Sequence, residues 1–99
     1  MRIVAVSTLK EFWSQPGRHD AEQPLRAWVH IVKAAAWARP TDVKQIFRSA
    51  DILRGGRVVF NVGGNKYRLV AAVHYRGQRA YIRFIGTHKE YDKIDAETA

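Results

Sequence analysis

Five side chains in the second half of this 99-residue sequence have types suited to phosphoryl-transfer chemistry: Lys66, Arg68, Arg83, His88 and Tyr91. Guanidinium groups bond phosphate oxygens in a bidentate manner. An imidazole takes or gives a proton near neutral pH, and a phenol stacks on a base or moves a proton. RNA supplies its own nucleophile, the 2′-hydroxyl. A site of this kind therefore needs only a base, an acid and cations for the charged phosphorane.

Simpler roles fit the same residues. A histidine after a strand is often a surface or capping residue, and arginines on an exposed strand often form a solvated face. A surface for nucleic acid or for an acidic protein is therefore an open alternative to catalysis. The four histidines have no metal-ligand spacing, the sequence has no cysteine, and the nine carboxylates are scattered. We expect no metal, no cofactor and no serine triad.

Two glycine-containing turns are expected to arrange the strand residues. Gly63-Gly64 predicts a two-residue type I′ hairpin, and Gly77-Gln78 predicts a type II′ hairpin. In this register Val62 lies opposite Asn65. Three antiparallel strands over residues 57–87 follow.

The two faces of this meander differ because side chains alternate along a strand. The apolar face reads Val58, Phe60, Val62, Tyr67, Leu69, Ala71, Val73, Tyr75, Ala80, Ile82 and Phe84. The other face carries nearly all the strand cations. In the predicted register Thr87 lies opposite Arg68, and His88 emerges beside Lys66. The polar face and the segment after it are expected to bind nucleic acid through Arg57, Asn61, Arg76, Arg79, Tyr81, Lys89 and Lys93.

The first half of the chain is expected to cover the apolar face. Residues 2–6 predict an edge strand. A capping-box pattern at Thr8 predicts a helix that ends near Pro16. Asp20 is expected to cap a second, amphipathic helix that runs to about Trp37.

Thr41 is expected to cap a shorter third helix, and residues 49–56 are expected to form a loop. After the meander we expect one or two helical turns and a frayed C-terminus. The fold class is thus α+β, an N-terminal strand and two helices packed on an antiparallel meander. We expect residues 1–99 to form one domain.

Net charge is +8 and is unevenly distributed. Residues 44–93 carry +8, whereas residues 1–43 carry +2 and residues 94–99 carry −2. This bias favours a nucleic acid or an acidic protein as the partner, and a charge that serves solubility is the alternative. Neither a membrane span nor a signal-peptide pattern is present, so we expect a cytoplasmic protein with no membrane partner.

Two stretches of the sequence resemble a known family. Residues 58–70 read VVFNVGGNKYRLV, and residues 81–92 read YIRFIGTHKEYD. Both resemble the HigB-type toxins of bacterial type II toxin–antitoxin systems, in the RelE/ParE-like superfamily. The helical half, with PTDVK at residues 40–44, is similar as well.

This resemblance implies a RelE-like fold and a ribosome-dependent mRNA endonuclease that arrests translation. It also implies a cognate helix-turn-helix antitoxin of the HigA type. The expected partners are that antitoxin, the ribosome and mRNA, with operator DNA bound only through the antitoxin.

The resemblance also assigns residues. Arg68 matches the phosphate-binding arginine of the superfamily. His88 and Tyr91 fall in the C-terminal segment where an acid and a stacking or proton-moving residue lie, and Lys66 and Arg83 are the remaining cations. Another branch of the superfamily poisons DNA gyrase and cuts no RNA. The alternative function is therefore a non-catalytic toxin that inhibits an essential protein such as DNA gyrase.

Overall fold

The computed structural model describes residues 1–99. Five strands form one sheet in the order β1-β5-β4-β3-β2. They are β1 (Arg2–Val4), β2 (Asp51–Ile52), β3 (Arg57–Val62), β4 (Tyr67–His74) and β5 (Arg79–Thr87). Strand β1 runs parallel to β5 at one edge, and the other neighbours are antiparallel. The predicted α+β class and the predicted edge position of the first strand are confirmed.

Four helices accompany the sheet: α1 (Val6–Trp13), α2 (Glu22–Ala34), α3 (Pro40–Ile46) and α4 (His88–Tyr91). Helices α1 and α2 end a few residues before the predicted positions. The predicted loop over residues 49–56 instead contains strand β2 and a 3-10 turn, Arg54–Gly56.

The three predicted helix caps in the first half are wrong. Helix α1 begins before Thr8 and has no side-chain cap. Helix α2 is likewise uncapped, because the carboxylate of Asp20 bonds to the meander instead. At the start of α3 the capping residue is Asp42 and not Thr41, since the Asp42 carboxylate accepts the backbone N–H of Ala38 at 2.8 Å. At Asp20 the contact with the distant Tyr67 hydroxyl outweighs the local capping pattern.

The first hairpin loop is longer than predicted. Val62 pairs with Tyr67, so the loop contains four residues and Asn65 lies within it. Gly63 and Gly64 do have the positive φ values expected of them, 62° and 70°. A hydrogen bond from the backbone N–H of Lys66 to the Gly63 carbonyl closes this four-residue loop.

The second hairpin loop also has four residues, because His74 pairs with Arg79. The residue with positive φ is Gln78, at 53°, and Gly77 is not in that region. The predicted type II′ turn is therefore wrong. Each loop is two residues longer than predicted. Because two is an even number, the side chains of β3 and β4 still point to the predicted faces.

A β-bulge changes the second half of β5. Val70 pairs with Phe84, but the next residue, Ala71, pairs with Ile82. Arg83 is the extra residue between them. A bulge of this kind reverses the facing of every later side chain in the strand.

This reversal corrects the predicted faces. Ile85 packs against the main core, whereas Phe84 lies in a second cluster on the opposite face. Opposite Arg68 the structure places Gly86, not Thr87. Thr87 lies one pair further on.

The main core lies between the helices and the first face of the sheet. Trp28 of α2 meets Phe60 edge to face, with ring centroids 5.3 Å apart. Phe47, which follows α3, meets the same ring at 4.9 Å. The apolar stripe of α2 therefore covers the sheet as predicted.

A smaller cluster lies on the second face, which the sequence pattern assigned to cations. Val59, Val70 and Ala96 are buried there, packed by Leu53, Phe84, Tyr91 and Ile94. The C-terminal residues predicted to fray thus cover part of this face. Only the remainder of it is open.

Truncation of Phe60 tests the core. Phe60 is 1% exposed, and Phe60→Ala would remove two ring contacts and leave a cavity. We expect a loss of about 3–5 kcal/mol in the free energy of unfolding by urea. Ile46→Ala is the control, since that side chain is 52% exposed, and its effect should stay within about 0.5 kcal/mol. Equal effects would contradict the assignment of the core.

Candidate active site

Helix α4 follows directly from β5 and is fixed by a capping box. The Thr87 hydroxyl accepts the N–H of Glu90 at 3.2 Å, and the Glu90 carboxylate accepts the N–H of Thr87 at 2.8 Å. The box positions His88 and Tyr91, the two predicted site residues on this helix. The sequence carried its signal, Thr-x-x-Glu, which the sequence analysis missed.

An ion pair and a glycine allow α4 to lie close to the rest of the protein. Arg18 donates to Glu90 at 3.1 Å and ties α4 to the segment after α1. Gly86 has no side chain where one would lie 3.0 Å from the Glu90 carboxylate and 2.6 Å from the Phe84 ring. The Thr87 N–H, and secondarily Arg18, lower the pKa of Glu90. The carboxylate therefore stays charged near neutral pH.

Arg68, His88 and Tyr91 come together as predicted. The Arg68 Nη2 lies 2.8 Å from His88 Nε2, and its Cζ lies 5.4 Å from the centre of the Tyr91 ring. A guanidinium only donates, so His88 Nε2 accepts through its lone pair. The ring proton is then on Nδ1, which faces Asp92 at 3.8 Å. In the free protein the histidine is thus arranged as a proton acceptor.

Asn61 is the cross-strand neighbour of Arg68. Its Nδ2 donates weakly to the Ser49 carbonyl at 3.4 Å. The Asn61 Oδ1 and the Arg68 Nε are both shielded from solvent and have no hydrogen-bond partner. Two adjacent polar groups therefore have unused bonding capacity on the second face of the sheet, beside His88.

Lys66 is close to this group only through its backbone. Its carbonyl accepts the N–H of His88 at 3.3 Å. Its ammonium turns towards the helical half and pairs with Asp20, which also accepts the Tyr67 hydroxyl at 2.5 Å. The bond to Asp20 raises the pKa of Lys66, and the bonds from Lys66 and Tyr67 lower the pKa of Asp20. Asp20 is thus a contact of the site that the sequence analysis missed.

Arg83 is not part of this group. It lies at the bulge, with its Cζ 5.5 Å from the centre of the Tyr81 ring. Tyr81 in turn meets His74 edge to face at 5.0 Å. These three residues form a separate polar strip along β4 and β5.

The other predicted nucleic-acid contacts are spread around the second face. Arg57 bonds the carbonyls of Ala99 and Gly55, both at 3.1 Å, and so holds the C-terminal segment. The remaining cations are exposed and make no ion pair: Arg76, Arg79, Lys89 and Lys93. They lie at both ends of the sheet face.

The chain forms neither a metal-ion cluster nor a membrane-spanning helix. No three histidine, aspartate or glutamate side chains converge as they would around a metal ion. No helix has the length and apolar character needed to cross a membrane.

Comparison with known proteins identifies the family. The family model HigB_toxin, described as the RelE-like toxic component of a toxin-antitoxin system, matches residues 21–94. This chain belongs to the HigB toxin family. Its RelE-like fold follows, and an antitoxin is its partner.

Individual relatives of this chain carry the name of the same family. The chain is 35% identical over 98 residues to the mRNA interferase toxin HigB of Escherichia coli K12, across 97% of this chain and 92% of the relative. The mRNA interferase HigB of Shigella flexneri matches to the same extent. The mRNA interferase HigB of Escherichia coli O6:H1 is 28% identical over 72 residues, across 71% of this chain and 70% of the relative.

The Asp20 contacts predict a pH dependence of stability. A carboxyl whose pKa is lowered by folding stabilises the protein above its unfolded pKa, about 3.9, and that stabilisation is lost as the pH falls through the folded value. Unfolding by urea should therefore show a stability gap between wild type and Asp20→Asn at pH 7 that shrinks towards about pH 2. Asp51→Asn is the control, since exposed Asp51 makes no ion pair. A stability difference between wild type and Asp20→Asn that does not change with pH would contradict the contacts of Asp20 with Lys66 and Tyr67.

Proposed function

We propose that this HigB family toxin is an endoribonuclease that cuts mRNA, as the names of its relatives say of those proteins. Arg68, His88 and Tyr91 form its active site in this proposal. The observation that carries it is the 2.8 Å contact between the Arg68 guanidinium and the Nε2 atom of His88. A phosphate-binding group and a proton acceptor thus lie side by side on an open part of a basic face.

The reaction begins with the scissile phosphate. Its oxygens bond the Arg68 guanidinium, which turns away from His88 Nε2 and uses the free Nε–H as well. The released Nε2 accepts the proton of the 2′-hydroxyl. The 2′ oxygen attacks phosphorus, and the bond to the 5′ oxygen breaks.

The proton is then returned. The imidazolium formed on His88 lies beside the phosphate and donates to the departing 5′ oxygen. The products are a 2′,3′-cyclic phosphate and a 5′-hydroxyl. Arg68 stabilises the charge that develops on phosphorus throughout. The Lys66 ammonium is paired with Asp20 and takes no part in this step. Tyr91 orients a neighbouring base by stacking.

The substrate in this proposal is mRNA held by the ribosome in the cytoplasm. Residues 44–93, which contain all but one of the strands, carry the charge excess that a polyanion requires. Asn61, with its unpaired Oδ1, contacts the nucleotide next to the scissile phosphate. Arg57 contributes its charge while it holds the C-terminus, and Tyr81 and Arg83 contact RNA along β5.

We further propose that residues 1–99 act as one toxin domain, since the family match covers residues 21–94 and the Escherichia coli K12 relative covers 97% of the chain. The antitoxin in this proposal is a helix-turn-helix protein of the HigA type. Operator DNA is then bound only through that antitoxin, and the toxin has no membrane partner.

His88 supplies the central test of this proposal. His88→Ala should reduce cleavage by about two to four orders of magnitude, because it removes the proton acceptor. The measurement is primer extension of mRNA 5′ ends after brief induction. One message is translated, and a second lacks its start codon. His30→Ala on α2 is the matched control and should cleave as wild type does.

The pattern of ends discriminates between functions. Ends on the translated message alone, lost in His88→Ala, support a ribosome-dependent nuclease with His88 in its site. Ends on both messages mean a free ribonuclease. Growth arrest without new ends would contradict the proposal and indicate a non-catalytic inhibitor of a protein such as DNA gyrase.

The exposed arginines at the far end of the sheet predict a second effect. Arg79 begins β5 and His88 follows its end, so nine positions, about 30 Å of strand, separate them. Arg76→Ala with Arg79→Ala should raise KM several-fold at constant kcat, because two phosphate contacts are lost. It should also flatten the dependence of binding on salt by about two counterions. Arg48→Ala with Arg54→Ala is the control, and an equal rise in KM there would contradict a local contact.

A further inference from the structure

A groove of about 280 Å³ lies between α1 and α2. Its apolar part consists of Val6, Trp13 and Val29. Its basic part consists of Lys10, His30 and Lys33, and Arg26 lies over the Trp13 ring at 4.9 Å. On each helix these residues recur three or four positions apart, so the groove follows the length of the helix pair.

This groove lies on the other side of the sheet from the active site. Helices α1 and α2 cover the first face, where Leu9, Phe12 and Trp28 join the main core. Arg68 points to the second face, together with Asn61. A partner in the groove would therefore leave the active site uncovered.

Charge defines what the groove would accept. Glu22 pairs with Arg26 at 2.8 Å. Lys10, His30 and Lys33 have no acidic partner. An occupant must therefore bring carboxylates for the rim and aliphatic side chains for the floor.

We propose that this groove docks an acidic, amphipathic helix of the antitoxin. The proposal rests on the toxin–antitoxin partnership and adds a location to it. A helix laid between two helices presents apolar side chains three and four residues apart to the floor, with its acidic flanks facing the lysines. Docking at this position would hold the antitoxin at a distance from Arg68 and His88.

Two other occupants fit the groove less well. RNA recognition uses exposed rings for stacking, but Trp13 is 7% exposed and its face is covered by Arg26. A second copy of this chain would bring a net charge of +8 to a groove that is already basic. The covered ring of Trp13 argues against RNA, and the positive net charge argues against a second copy. An acidic peptide has neither disadvantage.

Charge reversal tests the proposal. The double variant Lys10→Glu with Lys33→Glu changes two exposed side chains that make no hydrogen bond of their own. The probe is the purified antitoxin encoded beside the gene for this chain, titrated calorimetrically at two salt concentrations. We expect Kd to rise by at least about tenfold, most at low salt, because two attractive contacts become repulsive. Circular dichroism confirms folding, and Lys10→Ala with Lys33→Ala provides a milder variant.

The control matches the number of reversed charges. Arg48→Glu with Arg54→Glu lies outside the groove and should change Kd by less than about threefold. Equal affinity loss in both double variants, or none in the groove variant, would overturn the proposal. So would loss of ribosome binding with antitoxin affinity retained, which would make the groove an RNA contact. Cleavage without antitoxin should be unchanged in the groove variant, and a wild type that fails to cleave would refute the nuclease function alone.

Discussion

The placement of α4 by the Glu90 carboxylate underlies the proposed chemistry. One oxygen closes the capping box on Thr87 and the other bonds Arg18. His88 and Tyr91 are thereby held on a four-residue helix that would be marginal alone. This placement and the bond from the His88 N–H to the Lys66 carbonyl together bring His88 to Arg68.

The bulge at Arg83 determines what the second face of the sheet becomes. It turns Phe84 onto that face, where Phe84 packs with Val59 and Val70. The C-terminal residues then have an apolar surface to cover. The polar face is consequently confined to the two ends of the sheet, with Arg68 at one end and Arg79 at the other.

In the two proposals the sheet separates catalysis from antitoxin binding. Helices α1 and α2 occupy one side and leave a basic groove on their outer surface, while the proposed active site is on the opposite side. Family membership accounts for the need for an antitoxin partner, and the geometry permits that partner to bind without contacting Arg68. Under both proposals, regulation and catalysis use different surfaces of a small chain.

Alternation of residue types along β3 and β4 was sufficient to predict the fold class and the position of Arg68, because adding two residues to each loop leaves the facing of a strand unchanged. The resemblance of two short stretches was sufficient to predict the family. The sequence did not determine the bulge at Arg83 or the pairing of Asp20 with Lys66. These depend on how the C-terminal segment and the helices pack against the sheet, and such contacts join residues far apart in the chain. Local patterns do not record them, so only the tertiary structure decided which polar residues meet.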